Sequence, residues 1–182
     1  MNLNGKQLLL AAILGSAVLS TLSFALPTED ETYCLSHGGT VENMVAEFNT
    51  RAGTIEGFTK SFCTFNLDNG FIAVGLETLS SKTPNIAASF IKTLPRIEKD
   101  SPLWRGKYEN PGLNVCRNLG GGNIAYHVAS GGFKNHLGQS DICVFGDGSM
   151  VSSWSLIYIA NGRNDYYKVR DAVQPEPMVI KY

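Results

Sequence analysis

Cys143-Val144-Phe145-Gly146-Asp147-Gly148-Ser149-Met150-Val151-Ser152-Ser153-Trp154-Ser155-Leu156-Ile157-Tyr158-Ile159 reads as a strand, a tight Gly-containing turn and a second, longer strand. A related pattern begins at Cys63: Cys63-Thr64-Phe65-Asn66-Leu67-Asp68-Asn69-Gly70-Phe71-Ile72-Ala73-Val74-Gly75-Leu76-Glu77-Thr78-Leu79. In both copies a Cys and a Phe two residues later precede the turn, and Leu76 or Trp154 follows the turn glycine at the same interval. Asn-Gly and Asp-Gly tolerate the positive φ that tight hairpin turns demand. Two hairpins, each starting from a cysteine, are therefore the expected skeleton. Ile72, Val74 and Leu76 share one face at period two, and Leu76 and Trp154 are expected at equivalent buried positions.

The four cysteines allow three pairings. The repeat selects Cys34 with Cys63 and Cys116 with Cys143, which closes each copy on itself. Each closure is expected to stabilise by roughly 3–4 kcal/mol. Four thiolates around zinc would need closely spaced pairs such as C-x2-C, and none is present.

Residues 1–25 have the pattern of a secretory signal peptide. Lys6 gives a positive start, Leu8 to Leu22 is an apolar run, and Ser23-Phe24-Ala25 is a small-x-small cleavage site. The mature chain would then hold 14 basic and 16 acidic residues. It carries no basic run, so nucleic acid and anionic membrane surfaces are poor partners. An even cysteine count in an exported chain fits a secreted or periplasmic, disulfide-bonded protein with no integral membrane segment after signal cleavage.

The remaining chain divides at a polar, Pro- and Gly-containing segment between Glu98 and Gly112. A first unit, residues 26–105, holds the first copy and a following helix. A second unit, residues 106–182, holds the other copy with a C-terminal helix and an extended tail. The expected fold class is α+β: two similar small units, each a short helix plus antiparallel hairpin strands closed by one disulfide. Pro27 to Cys34 suits a helix N-terminus with acidic residues in its first turn, stopped by Gly38-Gly39. Thr40 to Phe48 is expected as a strand and Arg51 to Lys60 as a polar loop. Thr83 and Pro84 can open an amphipathic helix carrying Ile86, Phe90, Ile91 and Leu94. Ile124 to Val128 reads as a strand, Ala129 to Gln139 as a loop. Asn164 can cap a last helix with Tyr166, Val169 and Val173 inward.

Asn110-Pro111-x4-Cys116-x3-Gly120-Gly121, followed by Cys143-x-Phe145-x-Asp147-Gly148-Ser149-x4-Trp154, resembles a family of small exported bacterial domains. The family is known as domain of unknown function 333, and its members are often labelled haemolysins. The first copy matches through Cys34-x3-Gly38-Gly39, Cys63-x-Phe65 and Asp68-Asn69-Gly70, so the chain resembles a tandem duplication of that domain. Two features depart from the family. Val151 stands where its members usually carry a further cysteine, and no lipid-attachment cysteine is present. The resemblance implies an exported small domain and supplies no reaction. No pore-forming amphipathic stretch or long alternating hairpin supports the haemolysin label.

No catalytic group declares itself. Gly146-Asp147-Gly148-Ser149 lacks the spacing of a nucleophile elbow, and Gly120-Gly121-Gly122 lacks a phosphate-cradling context. His127 and His136 with Asp141 form a conceivable ligand trio, but no helical His pairing supports a metal. Asp68 and Asp147 each offer one carboxylate where calcium loops supply several oxygens. No cofactor is expected. Trp104, Tyr108, Tyr166 and Tyr167 are the aromatic candidates for a binding surface. The expectation is a non-enzymatic binding or envelope-associated module whose partner is a protein or cell-envelope component. The rival is a hydrolase or peptidase inhibitor acting outside the cell.

Overall fold

The computed structural model describes residues 26–180, apart from 69, 130, 132, 133 and 164. The signal-peptide segment and the turn residue Asn69 lie outside the described residues, as does the expected cap Asn164. The order of elements is α1 (Glu29–Ser36), β1 (Thr40–Thr50), β2 (Gly53–Leu67), β3 (Gly70–Gly75), α2 (Leu76–Ser80), α3 (Ile86–Thr93), then α4 (Pro111–Asn118), β4 (Gly122–His127), β5 (Gln139–Val144), β6 (Met150–Ser152), α5 (Ser153–Ala160), α6 (Tyr166–Ala172). Each half thus presents one helix, three strands and two helices.

The two halves are not separate units. All six strands close one antiparallel barrel in the order β1-β2-β3-β6-β5-β4. This overturns the expected pair of self-contained hairpin units, and the reason lies in the strand edges. A three-stranded meander leaves two unpaired edges, and here each half covers the other's. Val45, Ala46 and Glu47 of β1 pair with His127, Tyr126 and Ala125 of β4. Val74 of β3 pairs with Val151 of β6.

Alternation along the strands separates two cores. Phe62, Phe71, Ala73, Ile142 and Met150 join Met44, Ala46 and Tyr126 inside the barrel. Their neighbours Cys63, Ile72, Val74, Cys143 and Val151 face outward, under helical residues such as Phe90, Val115, Leu156 and Val169. Tyr166, Val169 and Val173 point inward as expected.

Four further expectations are corrected. The segment Arg51 to Lys60 is mostly strand: β1 and β2 extend as a hairpin arm, with Phe48 opposite Ile55 and Thr50 opposite Gly53. It is polar because residues 51–60 are exposed. The second strand of each copy stops early, at Gly75 and Ser152, and α2 and α5 begin there. A short apolar run such as Leu156-Ile157 does not distinguish buried strand from buried helix. Cys63 pairs with Val74 and Cys143 with Val151, so between the two copies Leu76 corresponds to Ser153, each opening a helix, and Trp154 is not the counterpart of Leu76. Leu76 is buried while Trp154 is only partly so. Finally, Asn85 rather than Thr83 caps α3, accepting the Ala88 N–H.

Both disulfides join the expected cysteines, Cys34–Cys63 and Cys116–Cys143, and the Cys-x3-Gly-Gly interval has a physical explanation. Each cysteine sits in the last turn of α1 or α4, two residues before its end. Gly38 and Gly120 take positive φ, 78° and 87°, which ends the helix in a paired-bond cap. The next glycine returns its N–H to the cysteine carbonyl, Gly39 to Cys34 at 3.0 Å and Gly121 to Cys116 at 2.9 Å. There the backbone passes directly over the disulfide. A Cβ on Gly39 would lie 2.3 Å from Cys63 Sγ, and one on Gly121 2.5 Å from Cys143 Sγ.

The two glycines should therefore respond differently. Gly121→Ala is expected to cost roughly 1–3 kcal/mol through overpacking and to raise the free-thiol count. Gly120→Asn, at a positive-φ position with nothing within 4 Å, should keep most of the stability because Asn tolerates that conformation. Urea denaturation with thiol titration measures both.

Candidate binding cleft

Where β6 turns into α5, the strand end, the helix start and a neighbouring turn enclose a cleft of about 260 Å³. Its walls are Ser140 and Asp141 of β5, Ser152, Trp154 and Ser155 of the β6–α5 junction, Phe71 of β3, and Asn110, the N-cap of α4. Lys134, Asn135 and Gln139 close one side.

The position of each wall has a local cause. Asp141 lies two residues before Cys143, so strand alternation puts it on the same outward face as the disulfide. Asn110 is held by its own capping role, accepting the Gly112 N–H at 2.9 Å. Ser152 Oγ accepts the Ala73 N–H at 3.1 Å and is in hydrogen-bond contact with Ser155 Oγ, which donates to the Phe71 carbonyl at 3.4 Å. Gln139 ties the loop wall to the arm, donating to Glu47 Oε2 at 2.6 Å and accepting from Asn49 and Asn135. The cleft is thus preorganised by bonds that also hold the barrel.

Trp154 belongs to an aromatic row. It stacks on Tyr158 at 5.5 Å and meets Trp104 edge-on at 6.4 Å, while Tyr158 meets Tyr166 edge-on at 5.2 Å. The Arg163 guanidinium lies 4.6 Å from the Tyr158 ring centre. Of the four aromatic candidates, Trp104 and Tyr166 join this row behind the cleft. Tyr108 instead lies beside the Lys107 ammonium, and Tyr167 is exposed on α6. The Tyr166 hydroxyl is buried without a hydrogen-bond partner among the described residues and presses on Gly70, where a Cβ would come within 1.9 Å. Burial first, then the neighbouring Tyr158, pushes its pKa up to about 12.

The other half has a corresponding, larger cleft of about 640 Å³, formed by Thr59 to Ser61, the β3–α2 junction and the turn around Asp147. The polar groups of its Asp147 turn and of Asp30 and Thr78 are engaged by the fold, while Glu77 and Lys60 are exposed at its rim. Asp147 accepts the Ile86 N–H at 2.7 Å, and Ser149 Oγ accepts the Ala87 N–H at 2.9 Å, so this turn holds the start of α3. Burial works against the Asp147 charge, but the hydrogen bonds from Ser149 and the Ile86 and Ser149 amides outweigh it and hold its pKa below the ordinary value. Asp30 accepts from Ser80 Oγ, and Thr78 Oγ1 from the Met150 N–H. That cleft serves the fold.

Asp141 differs. Its one hydrogen-bond partner among the described residues is Asn110 Nδ2, at a long 3.4 Å. Burial alone raises its pKa. The trio of His127, His136 and Asp141, considered and set aside on the sequence, is not grouped: His127 faces Glu47 at 3.6 Å, and among the described residues no three His, Cys, Asp or Glu side chains are grouped for a metal. No histidine lines either cleft. Sequence reading placed Asp141 only as a metal ligand and missed Asn110, Phe71 and the serine pair. The available signal was an acidic residue in register with a disulfide cysteine, on a face that the helices cover. Comparison with models of protein families, with curated proteins and with solved structures found no match.

Because the folded-state pKa of Asp141 lies above its ordinary value of 3.8, the ionised carboxylate opposes folding near neutrality, and this opposition disappears as pH falls through the raised value. Asp141→Asn should therefore raise the thermal midpoint at pH 7, with the advantage shrinking toward pH 4. Paired melts across that range check the sign. Tyr166→Phe, which removes the unpartnered hydroxyl, should be neutral or stabilising by about 1 kcal/mol in urea denaturation.

Proposed function

We propose that this protein is an exported, non-enzymatic binding module that holds part of a protein or cell-envelope component in the cleft between Asp141 and Trp154. The observation that carries the reading is the contrast between the two clefts. One has the carboxylates of Asp30 and Asp147 bonded into the fold and only the exposed Glu77 left over, and the other keeps a partly buried, weakly bonded carboxylate beside an indole on a rigid frame. Rigid placement of a few polar groups beside aromatic surface is what small binding sites require.

Export rests on the signal-like start of the chain and on two disulfides, which persist in oxidising compartments. Among the described residues no helix is long and apolar enough to cross a membrane. A hydrolase would need a nucleophile with an orienting base. The Ser152–Ser155 pair has no histidine beside it, and both hydroxyls already serve the backbone of β3.

The test is a fragment screen by nitrogen-15 correlation spectroscopy on the mature chain. Binding shifts should cluster at Phe71, Ser140, Asp141, Ser152 and Trp154, and Trp154→Ala should remove most of them. Replacing His37, His127 and His136 together by Ala should leave the pattern unchanged. Shifts confined to the β1–β2 arm, or none at the cleft, would overturn the proposal, as would hydrolytic activity lost with the histidines.

A further inference from the structure

We infer that the cleft binds a cationic nitrogen, an alkylammonium or alkylguanidinium group, with the Asp141 carboxylate as its counter-ion and the Trp154 indole as its aromatic wall. This rests on the binding-module reading and names the chemistry of its ligand.

The argument begins with what Asp141 lacks. Its side chain is half-buried on β5, beneath the N-terminal end of α4. Among the described residues no Lys, Arg or His nitrogen lies within 4.0 Å of it. Lys134 lines the same cleft, but its Nζ donates to the Ala129 carbonyl at 3.1 Å. Asn110 offers one long hydrogen bond, weaker than the short contacts a carboxylate makes with charged donors. A partly desolvated carboxylate without a counter-charge is costly to keep, and a cation placed against it relieves that cost. An anion would add to the repulsion, and a neutral ligand would leave the charge uncompensated.

The walls fit the same group. Trp154 lines the cleft and is braced behind by Tyr158 and Trp104, so its position is set before any ligand arrives. Indole is the strongest of the side-chain partners for a cation. The volume of about 260 Å³ lies just below the range that holds whole drug-sized ligands. It suits the end of one extended chain, such as a basic side chain or a free alkylamine. In the second cleft Asp30 and Asp147 already bond to Ser80, Ile86 and Ser149, and the remaining carboxylate, Glu77, is exposed to solvent on α2 with no aromatic residue in the lining, so that cleft lacks the pairing of a partly buried carboxylate with an indole.

The experiment compares n-butylguanidinium with its neutral near-isostere n-butylurea, titrated into the mature protein and followed by the same amide resonances. The cation should bind at least about tenfold more tightly than the urea, in line with a charge-assisted contact. Asp141→Asn should erase that preference. Lys134→Met should leave it within about twofold or increase it. Blocked Gly-Arg-Gly separates the sources: tighter binding than the free cation points to a polypeptide side chain, and equal binding to a free amine. Equal affinity for the cation and the urea overturns the inference, and because that comparison is made on the unaltered protein it does not depend on how any variant folds. Loss of the preference in Lys134→Met overturns it too. If neutral fragments occupy the cleft and the cation does not, only this inference falls; if nothing occupies it, the binding-module reading falls as well.

Discussion

Everything in this molecule depends on closing two strand edges with very little backbone. The β3–β6 seam has a single residue pair, Val74 with Val151. A strand edge that short would leave its flanking amides unsatisfied, and a buried amide without a partner costs free energy comparable to a lost hydrogen bond. Side-chain hydroxyls complete the seam instead. Ser152 Oγ takes the Ala73 amide and Thr78 Oγ1 takes the Met150 amide. Those hydroxyls stand where strand becomes helix, so barrel closure and the starts of α2 and α5 are one arrangement. The clefts open beside these junctions, which ties the candidate site to the element that holds the barrel shut.

The outer helices are fixed by a second device, the disulfide with a glycine laid over it. Cys34 and Cys116 anchor α1 and α4 to β2 and β5. The caps that end both helices carry the chain straight over the sulfur atoms. Asn110 stands at the other end of α4, so the same anchor sets the donor that reaches Asp141. Structure and site share their supports, and the rigidity of one is inherited by the other.

Local features were legible in the sequence and long-range ones were not. Capping chemistry, turn glycines and the disulfide pairing are written in short intervals, and each half could be outlined from them. Closure was invisible because the pairing of Val45 with His127, or Val74 with Val151, leaves no spacing to read. The polarity of Arg51 to Lys60 was correctly noticed but taken for a loop, since a strand exposed on both faces lacks the alternation that betrays a half-buried one. Ser153 to Ala160 failed for the opposite reason, being apolar nearly all round. Trp154 was assigned to the core by its interval in the repeat, although it is only partly buried and also lines a cleft. Asp141 was seen and given a different role, because only the fold reveals that among the described residues no Lys, Arg or His nitrogen lies within 4.0 Å of it.

Neither disulfide crosses a seam. Each ties a helix to a strand of its own half, so the union of the halves is wholly non-covalent. The chain between them, from Leu94 to Asn110, is irregular backbone. Such an arrangement permits exchange: a half of one molecule can close against the complementary half of another, forming the same contacts in an intertwined pair. Domain swapping of this kind needs no new surface, only a high local concentration and a seam that opens. Synthesis from the N-terminus, one half ahead of the other, would favour it by presenting an unclosed barrel edge before its partner from the same chain has emerged.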